Sequence, residues 1–189
     1  MSSGITISVY VDWDAVDWAA IPDFSQAYDN ISGDVDSDGI IGVNWNRGKQ
    51  REEGNAPAAT LTVNLKSGLC KKYSPFTTDA NLAGKIRPWL PIRVCVTHGA
   101  ITYTKYTGFI SRISYNPALS VQSVSFYCTD GTDLLARQLI TQDTTDNEIC
   151  SDGRAIHKIL DAAGWSRDKR DIDMDGGEDL LGYPASTEY

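Results

Sequence analysis

The chain has 189 residues and a formal net charge of −8, enough length for one large domain or one and a half and for a well-buried core. An acidic balance of this size argues against a free surface that binds nucleic acid non-specifically. No run approaches the ~20 apolar residues of a membrane span, no basic-then-apolar leader is expected at the N-terminus, and four widely spaced cysteines with two histidines offer no short-spaced zinc ligands.

Charge falls in blocks. Residues 1–42 carry eight aspartates and no Lys or Arg, residues 43–142 carry twelve basic against five acidic residues, and residues 143–189 carry five against twelve. Such alternation suits an acidic end that meets a basic middle, either within the chain or in a neighbouring copy.

Ile5-Thr6-Ile7-Ser8-Val9-Tyr10-Val11 alternates apolar and polar residues with period two, the pattern of a half-buried strand. Asp12 to Gln26 is acidic and aromatic without clean periodicity, and reads as a long loop that packs its tryptophans. Asp34-Val35-Asp36-Ser37-Asp38-Gly39 looks like the first half of a calcium loop, with acids at positions 1, 3 and 5 and glycine at 6. Trp45 stands at position 12, where a bidentate glutamate belongs. The expected reading is a Gly-Asp-rich turn, and no metal ligand is assigned.

Strands are expected at about 40–46, 59–66, 91–97, 101–115 and 120–129. In the second, Leu61, Val63 and Leu65 face the core. His98-Gly99 occupies a hairpin turn, so His98 reads as a turn residue and not as a base. Gly108, inside the long fourth strand, suggests a bulge or bend that lets this strand serve two parts of a barrel. Asn116-Pro117 closes a second hairpin. Cys70, Cys95, Cys128 and Cys150 read as free thiols that behave as small hydrophobes.

Helical signals come only after the sheet. Asp130 can cap a helix over Asp133 to Leu139, and Asp152 a second one over Gly153 to Ala163, stopped by Gly164. Ile156, Ile159, Leu160 and Ala163 form its apolar stripe, and His157 and Asp161 are spaced for a salt bridge. The tail from Ser166 to Tyr189 is acidic and irregular, so a longer protein is expected to continue beyond it.

There is no phosphate-binding glycine loop, no Gly-x-Ser-x-Gly elbow and no His-Glu-x-x-His pair. Arg47-Gly48-Lys49-Gln50-Arg51 is followed at once by Glu52 and Glu53, so it reads as solvated loop charge and not as a phosphate contact. No catalytic, cofactor or metal residue is assigned, and the chain is expected not to be an enzyme. Trp13, Trp18, Trp45 and Trp89 leave a carbohydrate-binding β domain, used in host-surface attachment, as the alternative reading.

Several short segments occur in a telling order: Arg47-Gly48, Ala59-Thr60-Leu61-Thr62-Val63, Tyr73-Ser74-Pro75-Phe76, Leu82 to Pro88, Pro91 to Val94, and Gly108-Phe109-Ile110. Thr129-Asp130 leading into Leu134-Leu135 follows, and then Ile156 to Trp165 with Arg170-Asp171-Ile172-Asp173. Together they resemble the minor tail and baseplate-hub (tail-tip) proteins of long-tailed bacteriophages over roughly residues 43–183. Departures occur at Ala58-Ala59, Ser67-Gly68-Leu69 and Trp89-Leu90, the last replacing a Pro-Gly-like turn.

The resemblance implies a mainly β chain with flanking helices: an antiparallel, tail-tube-like β-sandwich or split barrel followed by a short α segment. Residues 1–42 would be an acidic strand and loop, 43–142 the β domain that strand 5–11 joins, and 143–189 the start of a second hub domain. It also implies a virion component, made in the host cytoplasm, that forms a trimeric or hexameric ring. Its partners would be the tail tube, distal tail, tape measure and fibre proteins. Phage DNA would pass through the channel without specific binding, helped by an acidic lumen if residues 1–42 face it.

Overall fold

A computed structural model describes residues 4–15, 28–36, 42–46, 58–117, 122–133, 150–162 and 179–180. Packing divides the chain into one unit of residues 1–18 and 24–134 and another of residues 19–23 and 135–189. Among the described residues the chain is mainly one antiparallel sheet of seven strands, with little helix.

The strands of the first unit are β1 (Ile5–Val11), β2 (Asp29–Asn30), β3 (Val43–Asn46), β4 (Thr60–Leu65), β5 (Pro91–His98), β6 (Ile101–Pro117) and β7 (Gln122–Thr129). Their order across the sheet is β2-β1-β5-β6-β7-β4-β3. The five strands expected from residue 40 onward and the one expected at 5–11 are all present, and in β4 Leu61, Val63 and Leu65 are buried as expected. Alternation works here because one face of each strand is covered, which fixes which residues must be apolar.

The long β6 joins two halves of the sheet. Its residues 101–109 pair with β5 and its residues 109–117 pair with β7, overlapping at Phe109 alone. The strand therefore serves two parts of the fold, but its irregularities fall elsewhere than the sequence suggests. Lys105 and Ser111 are the extra residues, one on each side of Gly108. Gly108 is needed for another reason, since a Cβ there would collide with the Thr129 carbonyl oxygen and the Tyr106 ring. Glycine lets β6 and β7 approach at the bend.

A second link joins the outer margins. Asn30 pairs with Tyr10, the Ile31 N–H donates to the Val9 carbonyl (2.9 Å), and the Asp36 N–H donates to the Asn64 carbonyl (2.9 Å). The Lys66 N–H returns a bond to the Asp34 carbonyl (2.9 Å). One short segment, with a 3-10 turn at Ser32–Asp34, thus bonds to β1 near one end of the sheet order and to β4 near the other. The sheet must curl for so short a segment to reach both.

Curling encloses one core. Val9 and Val11 of β1, Ile92 and Val94 of β5, Tyr106 and Ile110 of β6, Phe126 of β7 and the β4 residues belong to a single buried cluster. Trp13, Tyr73 and Phe126 stack at its centre, with ring centroids 5.6–6.3 Å apart. Tilted and edge-on packing of this kind adds about 0.5–1.5 kcal/mol per pair beyond burial.

Two turns differ in detail from expectation. The β5–β6 hairpin turns on Gly99-Ala100, with Gly99 at φ 61° and His98 paired to Ile101 as the last residue of β5. Glycine first in a two-residue loop is the type II′ arrangement that matches strand twist. Before β5, Pro88-Trp89 forms a turn with Trp89 at φ 69°, a conformation that glycine adopts without strain and tryptophan does not. The Trp89 N–H donates to the Ile110 carbonyl (2.6 Å) and the Ile110 N–H to the Leu90 carbonyl (2.9 Å), which starts β5 against β6.

Helical structure follows the sheet. Asp130 Oδ1 accepts from the Thr132 N–H (3.0 Å) and residues 131–133 are helical, the capping expected of Asp130. Asp130 also ties back to β4, its Oδ2 accepting from the Ala59 N–H (2.9 Å). Leu134 to Leu139 lie outside the described residues. In the second unit, β8 (Cys150–Ser151) pairs with β9 (Asp179–Leu180), and helix α1 spans Asp152–Ala162. Its cap is one residue earlier than expected, with Ser151 Oγ accepting from the Arg154 N–H (3.4 Å). The buried positions are Gly153 and His157, four apart, while Ile156 and Ile159 are each 43% exposed. The expected apolar stripe is thus turned outward in part, because burial follows the 153–157 face. No described helix is long and apolar enough to cross a membrane.

Candidate functional site

The strongest polar arrangement lies where the acidic N-terminal block meets the basic middle of the chain. Asp34, at the end of the 3-10 turn, accepts hydrogen bonds on Oδ2 from Lys72 Nζ and from the Tyr73 hydroxyl, each at 2.6 Å. Lys66 Nζ donates to the Gly33 carbonyl (2.7 Å), and Lys85 forms an ion pair with Asp14 (2.5 Å). The Arg87 guanidinium donates to the Ala15 carbonyl. Part of the charge complementarity visible in the sequence is therefore met inside one chain.

Of these residues Asp14, Asp34, Lys72, Tyr73 and Lys85 border a cleft of about 360 Å3, which Trp13 and Asp79 also wall. Burial raises the Asp34 carboxyl, but the bonds from Lys72 and Tyr73 outweigh it and leave the group below the ordinary aspartate value. Burial and the bond to Asp34 push the Tyr73 phenol well above its ordinary value. An ionised Asp34 and a protonated Tyr73 make a stable donor–acceptor pair at neutral pH. The arrangement latches the 3-10 turn onto the loop that follows β4, and does not hold a proton in readiness for transfer.

The residues singled out in the sequence are scattered. Asp34 is committed to the latch, Asp36 contributes its N–H to β4, and Asp38 lies outside the described residues. Among the described residues no group of three or more His, Cys, Asp or Glu side chains is placed to hold a metal ion. His98 ends β5 at the hairpin and His157 is buried on α1. Cys95 and Cys128 are buried and Cys70 is half-buried, all three as free thiols, and burial pushes the Cys128 thiol up. Trp13 is stacked in the core, Trp45 packs against it and Trp89 is half-buried in its turn, whereas Trp18 and the Arg47–Arg51 loop lie outside the described residues. Trp13, buried against Tyr73 and Phe126, has no face left for a sugar ring.

What stands out on the surface is the free end of the β1–β5–β6 ribbon. The register aligns Ile5 with His98 and Ile101, and Ile7 with Val96 and Tyr103. Partners across a ladder share a face, and this face continues the row of Val9 and Val11 in the core. Here it runs past its cover: Ile5 is 69% exposed, Ile101 56%, Tyr103 46% and Ile7 42%. The reason is visible in the pairing, since β7 ends opposite Phe109 and β6 extends eight residues further. The opposite face of the ribbon carries Thr6, Ser8, Thr97, Thr102 and Thr104, with Thr97 and Thr102 hydroxyls 2.9 Å apart. The alternation of these strands is plain in the sequence, but the emergence of its apolar side from the core is not.

Among the described residues, no strand covers the outer backbone edge at either margin. Among the described residues β2 covers only Tyr10 and Val11 of β1, which leaves the outer edge of Ile5–Ser8 without a strand. At the other margin, again among the described residues, β3 pairs with β4 alone. A scan against models of protein families finds no match to this chain, and a search of curated proteins finds none either.

Proposed function

We propose that the chain is a structural component of a bacteriophage tail tip or baseplate, a hub or minor tail protein that assembles into a ring around the tail channel. The observation that carries this reading is the curled antiparallel sheet, its two margins uncovered by any strand among the described residues, with an apolar ribbon face beyond its core. A sheet that folds over on one long shared strand and is cinched by one segment is what a split barrel or two-layered sandwich of the tail-tube kind requires. Its open margins need a neighbour, and a closed ring supplies one to every copy. The ordered segments from Tyr73-Ser74-Pro75-Phe76 to Gly108-Phe109-Ile110 favour the tail-tip family over other ring formers.

The test is to image the purified full chain by electron microscopy. The reading expects annular particles with three- or six-fold averages and a central channel. Single small particles at every concentration, or open fibres without a closed ring, contradict it. Binding of the isolated chain on a glycan array would instead favour the carbohydrate reading.

A further inference from the structure

We infer that the outer edge of Ile5–Ser8 in β1 pairs with the outer edge of Val43–Asn46 in β3 of a second copy, joining copies head to tail. This deepens the ring reading by naming the contact, and rests on it for the closure of the ring.

The two edges match in length and pattern. Each is four residues long and each alternates apolar and polar side chains: Ile5-Thr6-Ile7-Ser8 and Val43-Asn44-Trp45-Asn46. In β3, Val43 is buried and Trp45 packs on the core, while Asn44 and Asn46 are exposed. Bringing the edges together places Ile5 and Ile7 beside the Val43–Trp45 face and Thr6 and Ser8 beside the asparagines. Sheet pairing needs this agreement, because a one-residue slip puts apolar side chains on the polar face.

Neither edge carries the features that keep exposed strands apart. Natural edges are blunted by lysine, proline, inward charges or bulges, and these eight residues contain no charge and no proline. The irregularities of the sheet lie on its inner strands, between β5, β6 and β7. The exposed Ile101 and Tyr103 flank Ile5 and Ile7 on the same face, so a docked strand at this margin would extend an apolar surface already formed.

A second copy is the occupant because the chain offers both halves of the contact. A two-fold contact of β1 with β1 would cover one margin and leave the β3 margin of each copy open. Head-to-tail pairing covers both margins of every copy within a closed ring.

The experiment uses the full chain and two surface variants, Ile7→Lys on one margin and Asn44→Lys on the other, with circular dichroism confirming that each is folded. Native mass spectrometry and sedimentation read the assembly. Each variant alone is expected to self-associate at least tenfold more weakly than wild type. Mixed together, they are expected to form a 1:1 heterodimer that grows no further, since each retains one intact margin. Wild-type masses for both variants would overturn the contact while leaving the ring reading standing. A dimer of Asn44→Lys alone would replace it with the two-fold β1 contact. A wild type that is monomeric throughout would remove the contact and the ring reading together.

Discussion

Strand β6 presents two stretches bonded to the same neighbour with opposite fates. Tyr106, Phe109 and Ile110 are buried, whereas residues 101–105 are exposed, although β5 pairs with residues from 101 to 109. Hydrogen bonding to β5 therefore runs along both stretches, and burial does not. The difference is the second layer: Phe126, Leu61 and Val63 share the core with Tyr106 and Ile110 of the inner stretch, and β7 stops before the outer one begins. Pairing satisfies backbone groups, but burial of side chains requires something opposite them, and only burial stabilises by about 25 cal/mol per Å2.

This contrast can be broken by mutation, most strongly at the covered end. Phe126→Ala removes the ring that Trp13 and Tyr73 pack against. It is expected to cost about 3–5 kcal/mol in urea unfolding of the full chain. Gly108→Ala should cost about 1–3 kcal/mol, because the added Cβ meets the Thr129 carbonyl and the backbone at the bend must shift.

Asp34→Asn sharpens the comparison by testing a margin link instead of the core. It keeps an acceptor for Tyr73 but loses the charge, so a loss of about 1 kcal/mol is expected at neutral pH. The sign with pH follows from the lowered carboxyl. The wild-type advantage is complete above the unfolded aspartate value of about 3.9 and fades as pH falls below it through the folded value. Unfolding measured from pH 7 to pH 2 checks this, and a difference that grows on acidification would contradict it.

Ile101→Thr, at the uncovered end, should change the stability of the single chain by no more than about 0.5 kcal/mol. Its expected effect is on self-association, seen as a shift toward smaller species in sedimentation. A large stability loss here would mean that the ribbon face is covered within the chain.

The strands were legible in the sequence because alternation is a local consequence of one-sided burial, and Leu61-Thr62-Val63 announces it directly. Gly108 was legible as special, but its reason lies in the Thr129 carbonyl, which is remote in sequence and brought near only by pairing. The Asp34 latch was not legible, because Asp34 and Lys72 belong to different charge blocks joined by tertiary folding. On α1 the apolar spacing of Ile156 and Ile159 was real, yet a local pattern does not say which face a unit will cover. The open margins were hidden for a similar reason: Ile5–Ser8 reads the same whether a strand is central or at an edge.

Self-association is the property on which a ring depends, and sedimentation equilibrium of the wild-type chain over a wide concentration range measures it most directly. The predicted result is one discrete species of three or six copies of the 20.7 kDa chain. A mass that stays at that of a single chain at every concentration would contradict it.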